Sequence, residues 1–229
     1  LFTTTGNIDY LIKAEENLIQ ANEKINYTNS GYLRALARNY ISQHRFKESL
    51  ALLEKAEAIG ENLNGTQKML FDVHLELGNT KKASYYLSQV KNLSDFGFLI
   101  RLSKWSDHKG DLASAINYLE RATLKAESSK LDDLMEWSYT NLADFYGHDG
   151  QIEKSYNYYL KALALNPNDA YAKKGIAWIV YSHEKNASEA NRILDAISQL
   201  HNAPDYLLFK AEIAEYQNNI DAKNKYLAS

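Results

Sequence analysis

Five times in this chain a small residue is followed four positions on by a large one, and three positions after that by a small or branched one. The sets are Ser49, Leu53, Ala56; Ala83, Leu87, Val90; Ala115, Leu119, Ala122; Ser155, Tyr159, Ala162; and Ala190, Leu194, Ile197. Steps of four and three put each set on one face of a helix. The first members stand 34, 32, 40 and 35 residues apart, a period that signals a stack of helical units. Upstream of four sets lies a second cluster, at Leu36, Ala37 and Tyr40; Leu70, Phe71 and His74; Leu142, Ala143 and Tyr146; and Ile176 with Ala177. These mark a first helix for each unit. Gly78, Gly110 and Gly150 stand five residues before a small position, suited to the positive φ that ends a helix. A lone helix pair leaves one apolar face bare, so such units must stack to bury a continuous core.

Residues 136–169 hold the fullest unit, with Tyr139, Leu142, Ala143, Tyr146, Gly150, Ser155, Tyr159, Ala162 and Pro167 in phase. Here the chain resembles the tetratricopeptide repeat family. That motif has a large then a small residue in its first helix, an aromatic one turn later, and alanine, aromatic, alanine, proline in its second. Residues 30–63 and 170–203 follow it well. Residues 64–95 and 96–135 follow it loosely, with Phe71 where a small residue is usual and Ser106 where an aromatic is. The resemblance implies an all-α fold, a right-handed superhelical array of antiparallel helix pairs, as a single solenoid over 1–229. Its expected parts are an incomplete N-terminal unit at 1–29, repeats at 30–63, 64–95, 96–135, 136–169 and 170–203, and a capping pair at 204–229. Residues 6–26 read as a turn and a second helix whose partner lies before Leu1. Tyr226 and Leu227 are expected to cover the core at the far end. The six extra residues between Ala115 and Ser155 are expected to lengthen a second helix through residues 121–130.

Composition narrows the role. The chain is 45% hydrophobic and 24% charged, with two prolines, the profile of a folded protein. A net charge of −3 gives no global attraction to nucleic acid or anionic lipid, and no apolar run approaches the ~18 residues of a membrane span. Neither nucleic-acid binding nor membrane insertion is expected. Cysteine is absent, which removes disulfides, thiolate nucleophiles and sulfur metal sites and suits a cytoplasmic or an exported bacterial protein alike. The compartment stays open. The opening residues carry neither an initiator Met nor an apolar leader and read as the start of a processed or excised piece.

Chemistry is sparse. His44, His108, His148 and His183 fall near the ends of first helices, yet equivalent residues in stacked pairs lie ~10 Å apart, against the ~2 Å of a zinc ligand. They read as groups that complement a helix C-terminus. "SHEKNA" lacks the second histidine of a zinc protease helix, and "GHDGQIEKS" lacks the glycine-lysine step of a phosphate loop. No nucleophile, base and orienting group assemble. The sequence therefore reads as a non-catalytic scaffold, with no cofactor and no metal.

In proteins that this chain resembles, the first helices line a concave face that takes a peptide or a partner's helix. Helical phase places Arg34, Arg38, Lys68, Arg101, Lys104, Trp137, Asn141, Asp144, Lys174 and Trp178 on that face. Its basic N-terminal part points to a protein or peptide partner, possibly an acidic one. The plainer reading has Lys68 paired with Asp72 at i,i+4, the arginines solvated, and both tryptophans packed between units. Chaperone-tail-binding members of the family use a clamp of Lys and Asn, then Asn, then Lys and Arg. Arg101 fits its last place, but Arg34, Arg38 and Met69 depart from the rest, so the full clamp is absent. The alternative role is a sensor or regulatory segment of a larger bacterial signalling or envelope protein.

Overall fold

Asparagine and aspartate in the polar breaks set where helices begin. The computed structural model describes residues 8–197 and 203–229; Gly6 and Asn7, read as a turn, and residues 198–202, closing the unit 170–203, lie outside the described residues. Among the described residues there are thirteen helices and no strands. They are α1 (Asp9–Lys24), α2 (Ser30–Ser42), α3 (Phe46–Ile59), α4 (Leu63–Glu76), α5 (Thr80–Gln89), α6 (Phe96–His108) and α7 (Leu112–Ser129). Then come α8 (Asp132–His148), α9 (Ile152–Leu165), α10 (Ala170–Ser182), α11 (Ala187–Asp195), α12 (Pro204–Tyr216) and α13 (Ile220–Leu227). Asn29, Asn62, Asp95 and Asp169 cap the first helices α2, α4, α6 and α10 by accepting from backbone N–H groups of the first turn, satisfying donors that a helix start leaves open.

The turn between paired helices is one motif repeated. Gly78, Gly110 and Gly150 take φ of 74°, 77° and 75°, and the next residue donates back to a carbonyl of the first helix: Asn79 to His74 at 2.8 Å, Asp111 to Ser106 at 2.9 Å and Gln151 to Tyr146 at 2.8 Å. This is the geometry expected of a glycine that ends a helix. Where glycine is missing, His44, Lys185 and Asn218 adopt the same left-handed conformation. Periodicity of the turn thus outlasts periodicity of the residue.

The described residues form two compact units, one covering 8–118 and the other 119–229, with the boundary inside α7. In the N-terminal unit, Leu33, Leu36, Ala37, Leu53, Ala56 and Leu70 join α2, α3 and α4 in one buried cluster, and Phe71, Ala83, Leu87 and Phe98 form a second. In the C-terminal unit, Ala143, Tyr159, Ala162, Ile176, Ala177, Leu194 and Ile213 share a core. All fifteen residues of the repeating sets are buried. Small residues let backbones approach, and a hydroxyl often fills the contact. Ser49 donates to the Ala37 carbonyl at 3.1 Å, and Ser103 to that of Ala115 at 2.7 Å. Phe71, in a place meant for a small side chain, is fully buried and meets Trp105 edge-on. The helix α7 runs 18 residues against 14 for α3 and α9, which takes up part of the longer spacing; α8, at 17 residues against 14 for α4, takes up the rest. Of the two residues expected to cover the core at the C-terminus, Leu227 is 54% exposed, whereas Tyr226 is half-buried and sits against the Lys210 ammonium. An eight-residue helix with no buried residue has too little apolar surface to cover a core.

Candidate functional site

First helices of the N-terminal unit carry the basic residues read from the sequence, and the fold ties most of them down. Arg34 donates to the Glu61 carbonyl at 3.1 Å and to the Ser30 hydroxyl. Lys68 pairs with Asp95 at 2.6 Å rather than with Asp72. Asp72 is taken by Arg101 at 2.5 Å, and Arg101 also donates to the carbonyls of Lys68 and Gly97, each at 2.8 Å. Lys104 pairs with Glu76 at 2.7 Å. Apart from the Ser30 and Gly97 contacts, which stay within one helix, these ties reach a neighbouring first helix or the turn before it. The Lys68–Asp72 expectation is therefore corrected, because stacking brings a closer carboxylate to each cation than its own helix offers. Arg38 alone of the five is exposed with no ion partner among the described residues.

The C-terminal unit holds a different surface. The helices α8, α10 and α12 line a groove of about 460 Å³, floored by Ser155 and Tyr159 of α9. Of the sequence-selected residues, Asp144, Lys174 and Trp178 meet there. Trp137 and Asn141 lie on α8 outside its lining; Trp137 is 42% exposed and Asn141 donates to its carbonyl at 2.7 Å. Tyr159, Tyr171, Gly175, Asp205, Leu208 and Glu212 also line the groove without having been singled out as site residues, as does His148, read from the sequence only as a group at a helix end.

Gly175 explains how the floor reaches the groove. A Cβ there would lie 2.3 Å from Cζ of Tyr159, inside any van der Waals limit, so only glycine lets that ring pass beneath α10. The Tyr159 hydroxyl donates to Asp144 Oδ1, and Tyr171 donates to Asp144 Oδ2 at 2.7 Å. Burial, then the charge of Asp144, raises both tyrosine hydroxyls well above their ordinary range, so they stay neutral donors. The Asp144 carboxylate is held in one orientation by this pair, with lone pairs left over.

Across the groove Lys174 pairs with Asp205, and its ammonium lies 5.6 Å from the Tyr171 ring centre. Burial pushes Asp205 up, but the hydrogen bond and charge of Lys174 outweigh it and hold the carboxyl below its usual range. The rim is apolar and exposed: Trp178 is 45% exposed, Tyr171 51% and Leu208 59%. Trp178 meets His183, at the end of its own helix, edge-on at 5.3 Å. Among the described residues no group of three or more histidines and acids is placed to hold a metal, and no helix is long and apolar enough to cross a membrane.

What sequence reasoning missed here has a physical cause. Gly175 looks like a defect in a helix until the ring beneath it is known. Asp205 and Leu208 sit in the pair that matched the repeat pattern least, but they follow Lys174 and Trp178 by about one period, which is the signal that would have found them.

A tetratricopeptide repeat model matches residues 138–169. No curated protein sequence matches the chain. Among solved structures, the chain is similar to Pseudomonas aeruginosa pilF at 16% identity, covering 94% of this chain and 90% of that one with a TM-score of 0.62. It is similar to PilW, a widely conserved type IV pilus biogenesis factor, at 18% identity, 87% and 90% coverage and a TM-score of 0.67. It is also similar to a Rap protein complexed with competence and sporulation factor, at 16% identity, 96% and 69% coverage and a TM-score of 0.70. The chain thus carries a tetratricopeptide repeat at residues 138–169 and has the all-helical scaffold fold of tetratricopeptide repeat proteins.

Proposed function

We propose that the chain is a non-catalytic binding module that takes an extended protein segment in the groove lined by α8, α10 and α12. The observation that carries this is the exposed Trp178, Tyr171 and Leu208 set around a carboxylate already oriented by two hydroxyls. Aromatic anchors beside fixed polar groups are what a binding cleft needs. The cations of the N-terminal unit give weaker support to an acidic partner, since Lys68, Arg101 and Lys104 already hold carboxylates of the chain. A protein is favoured over a nucleic acid because Asp144, Asp205 and Glu212 line the groove and repel phosphate.

A random twelve-residue peptide library selected against the whole chain tests this. Selected peptides should lose at least about tenfold in affinity, ~1.4 kcal/mol, against Trp178→Ser with Leu208→Ser. They should bind unchanged to Leu124→Ser, whose side chain is also exposed but on α7. Equal binding to all three proteins would reject the groove. A second reading, a regulatory segment of a larger signalling or envelope protein, draws support from the similarity in fold to the Rap protein and to PilW. The reading frame beyond both ends of these 229 residues tests it, and a frame without a further domain would contradict it.

A further inference from the structure

Charge in the groove does not balance. Three carboxylates line it, Asp144, Asp205 and Glu212, against the single ammonium of Lys174, and that ammonium is spent on Asp205. Asp144 takes two tyrosine hydroxyls, and Glu212 lies close enough to the Tyr181 hydroxyl for its charge, after burial, to help raise that group above its ordinary range. Neutral donors orient a carboxylate without cancelling its charge, and each carboxylate has about four lone-pair sites. Two negative groups therefore face an open cleft in which Lys174 is the one lysine or arginine of the lining and His148 the other basic side chain. Beside them stand the half-exposed side chains of Trp178 and Tyr171.

We infer, resting on the reading of this groove as a peptide site, that its occupant is a basic segment anchored by an arginine side chain. The guanidinium is planar and stacks on indole and phenol faces while its N–H groups fork onto carboxylates. Lysine offers a point charge and holds its hydration shell more tightly, so it fits an aromatic rim less well. Leu208, at the exposed edge on α12, takes an apolar neighbour of the arginine. The N-terminal unit, whose first-helix cations mostly hold carboxylates of the chain, has no such excess of negative charge.

The same random twelve-residue library separates this inference from the one beneath it. Selected peptides should be enriched in arginine flanked by apolar residues. Replacing that arginine by glutamine in a selected peptide should weaken binding at least about tenfold, and by lysine less. The loss should shrink at 0.5–1 M salt, where charges are screened to about 3–4 Å. Against Glu212→Gln and Asp144→Asn the arginine peptide should weaken while its glutamine version stays unchanged, a pattern that general unfolding would not produce. Selected peptides that lack arginine, or that tolerate glutamine in its place, would overturn the inference while leaving the groove standing if Trp178→Ser still abolishes binding. A library that yields no binder, or binders indifferent to Trp178→Ser, would overturn both.

Discussion

At the scale of single residues, the groove depends on a missing methyl group. Tyr159 is 5% exposed and pinned at its hydroxyl by Asp144, so it cannot swing aside for a side chain at position 175. Gly175→Ala should cost ~1–3 kcal/mol, the range for overpacking a closed contact, although alanine favours helices by ~1 kcal/mol over glycine. Urea unfolding measures it. A stabilised Gly175→Ala protein would show that the ring does not pass there. The same position marks a limit of sequence reading. Tyr159 was legible as a core residue from its phase, whereas the hydroxyl's reach to Asp144 and the notch that allows it depend on two helices meeting, which no local pattern encodes.

At the scale of helices, charges join neighbours more than they decorate surfaces. Lys210 of α12 is a buried cation, with its ammonium 2.8 Å from both Asp195 Oδ1 and Asn191 Oδ1 of α11. The partners are unequal, for the Lys210 side chain is 5% exposed and that of Asp195 65%. Removing the acid strands a buried charge, while removing the cation lets the acid return to water. Asp195→Ala should therefore destabilise by ~3 kcal/mol, and Lys210→Met by less than ~1 kcal/mol because its stem is replaced by apolar volume. Thermal or urea unfolding of the two variants checks the order, and equal costs would contradict it. Such ties were hidden from a reading of one helix at a time. Arg34 meets Glu61, Lys104 meets Glu76 and Lys174 meets Asp205 at separations of 27, 28 and 31 residues. These are spans slightly under the repeat period. The period was in the sequence; which cation used it was decided by how the helices stack.

At the scale of the whole molecule, the phase of small and large residues carried the fold. Each member of the five sets is buried, and left-handed residues close the turns between pairs even where His44, Lys185 and Asn218 replace glycine. The site was legible only in part. Asp144, Lys174 and Trp178 follow from outward phase on first helices, but their acidic and apolar partners come from α12, where the repeat pattern fades. The chain supplies its own probes for the central claim, since it has three tryptophans: Trp105 on α6, Trp137 on α8 and Trp178 on α10. Indole N–H resonances, followed by ¹⁵N NMR while a library-selected peptide is titrated in, report on each separately. Movement of the Trp178 signal, with that of Trp105 unmoved, is the outcome required if the groove of α8, α10 and α12 is where the partner sits. A saturable shift at Trp105 with Trp178 left in place would put the binding surface elsewhere and contradict the account.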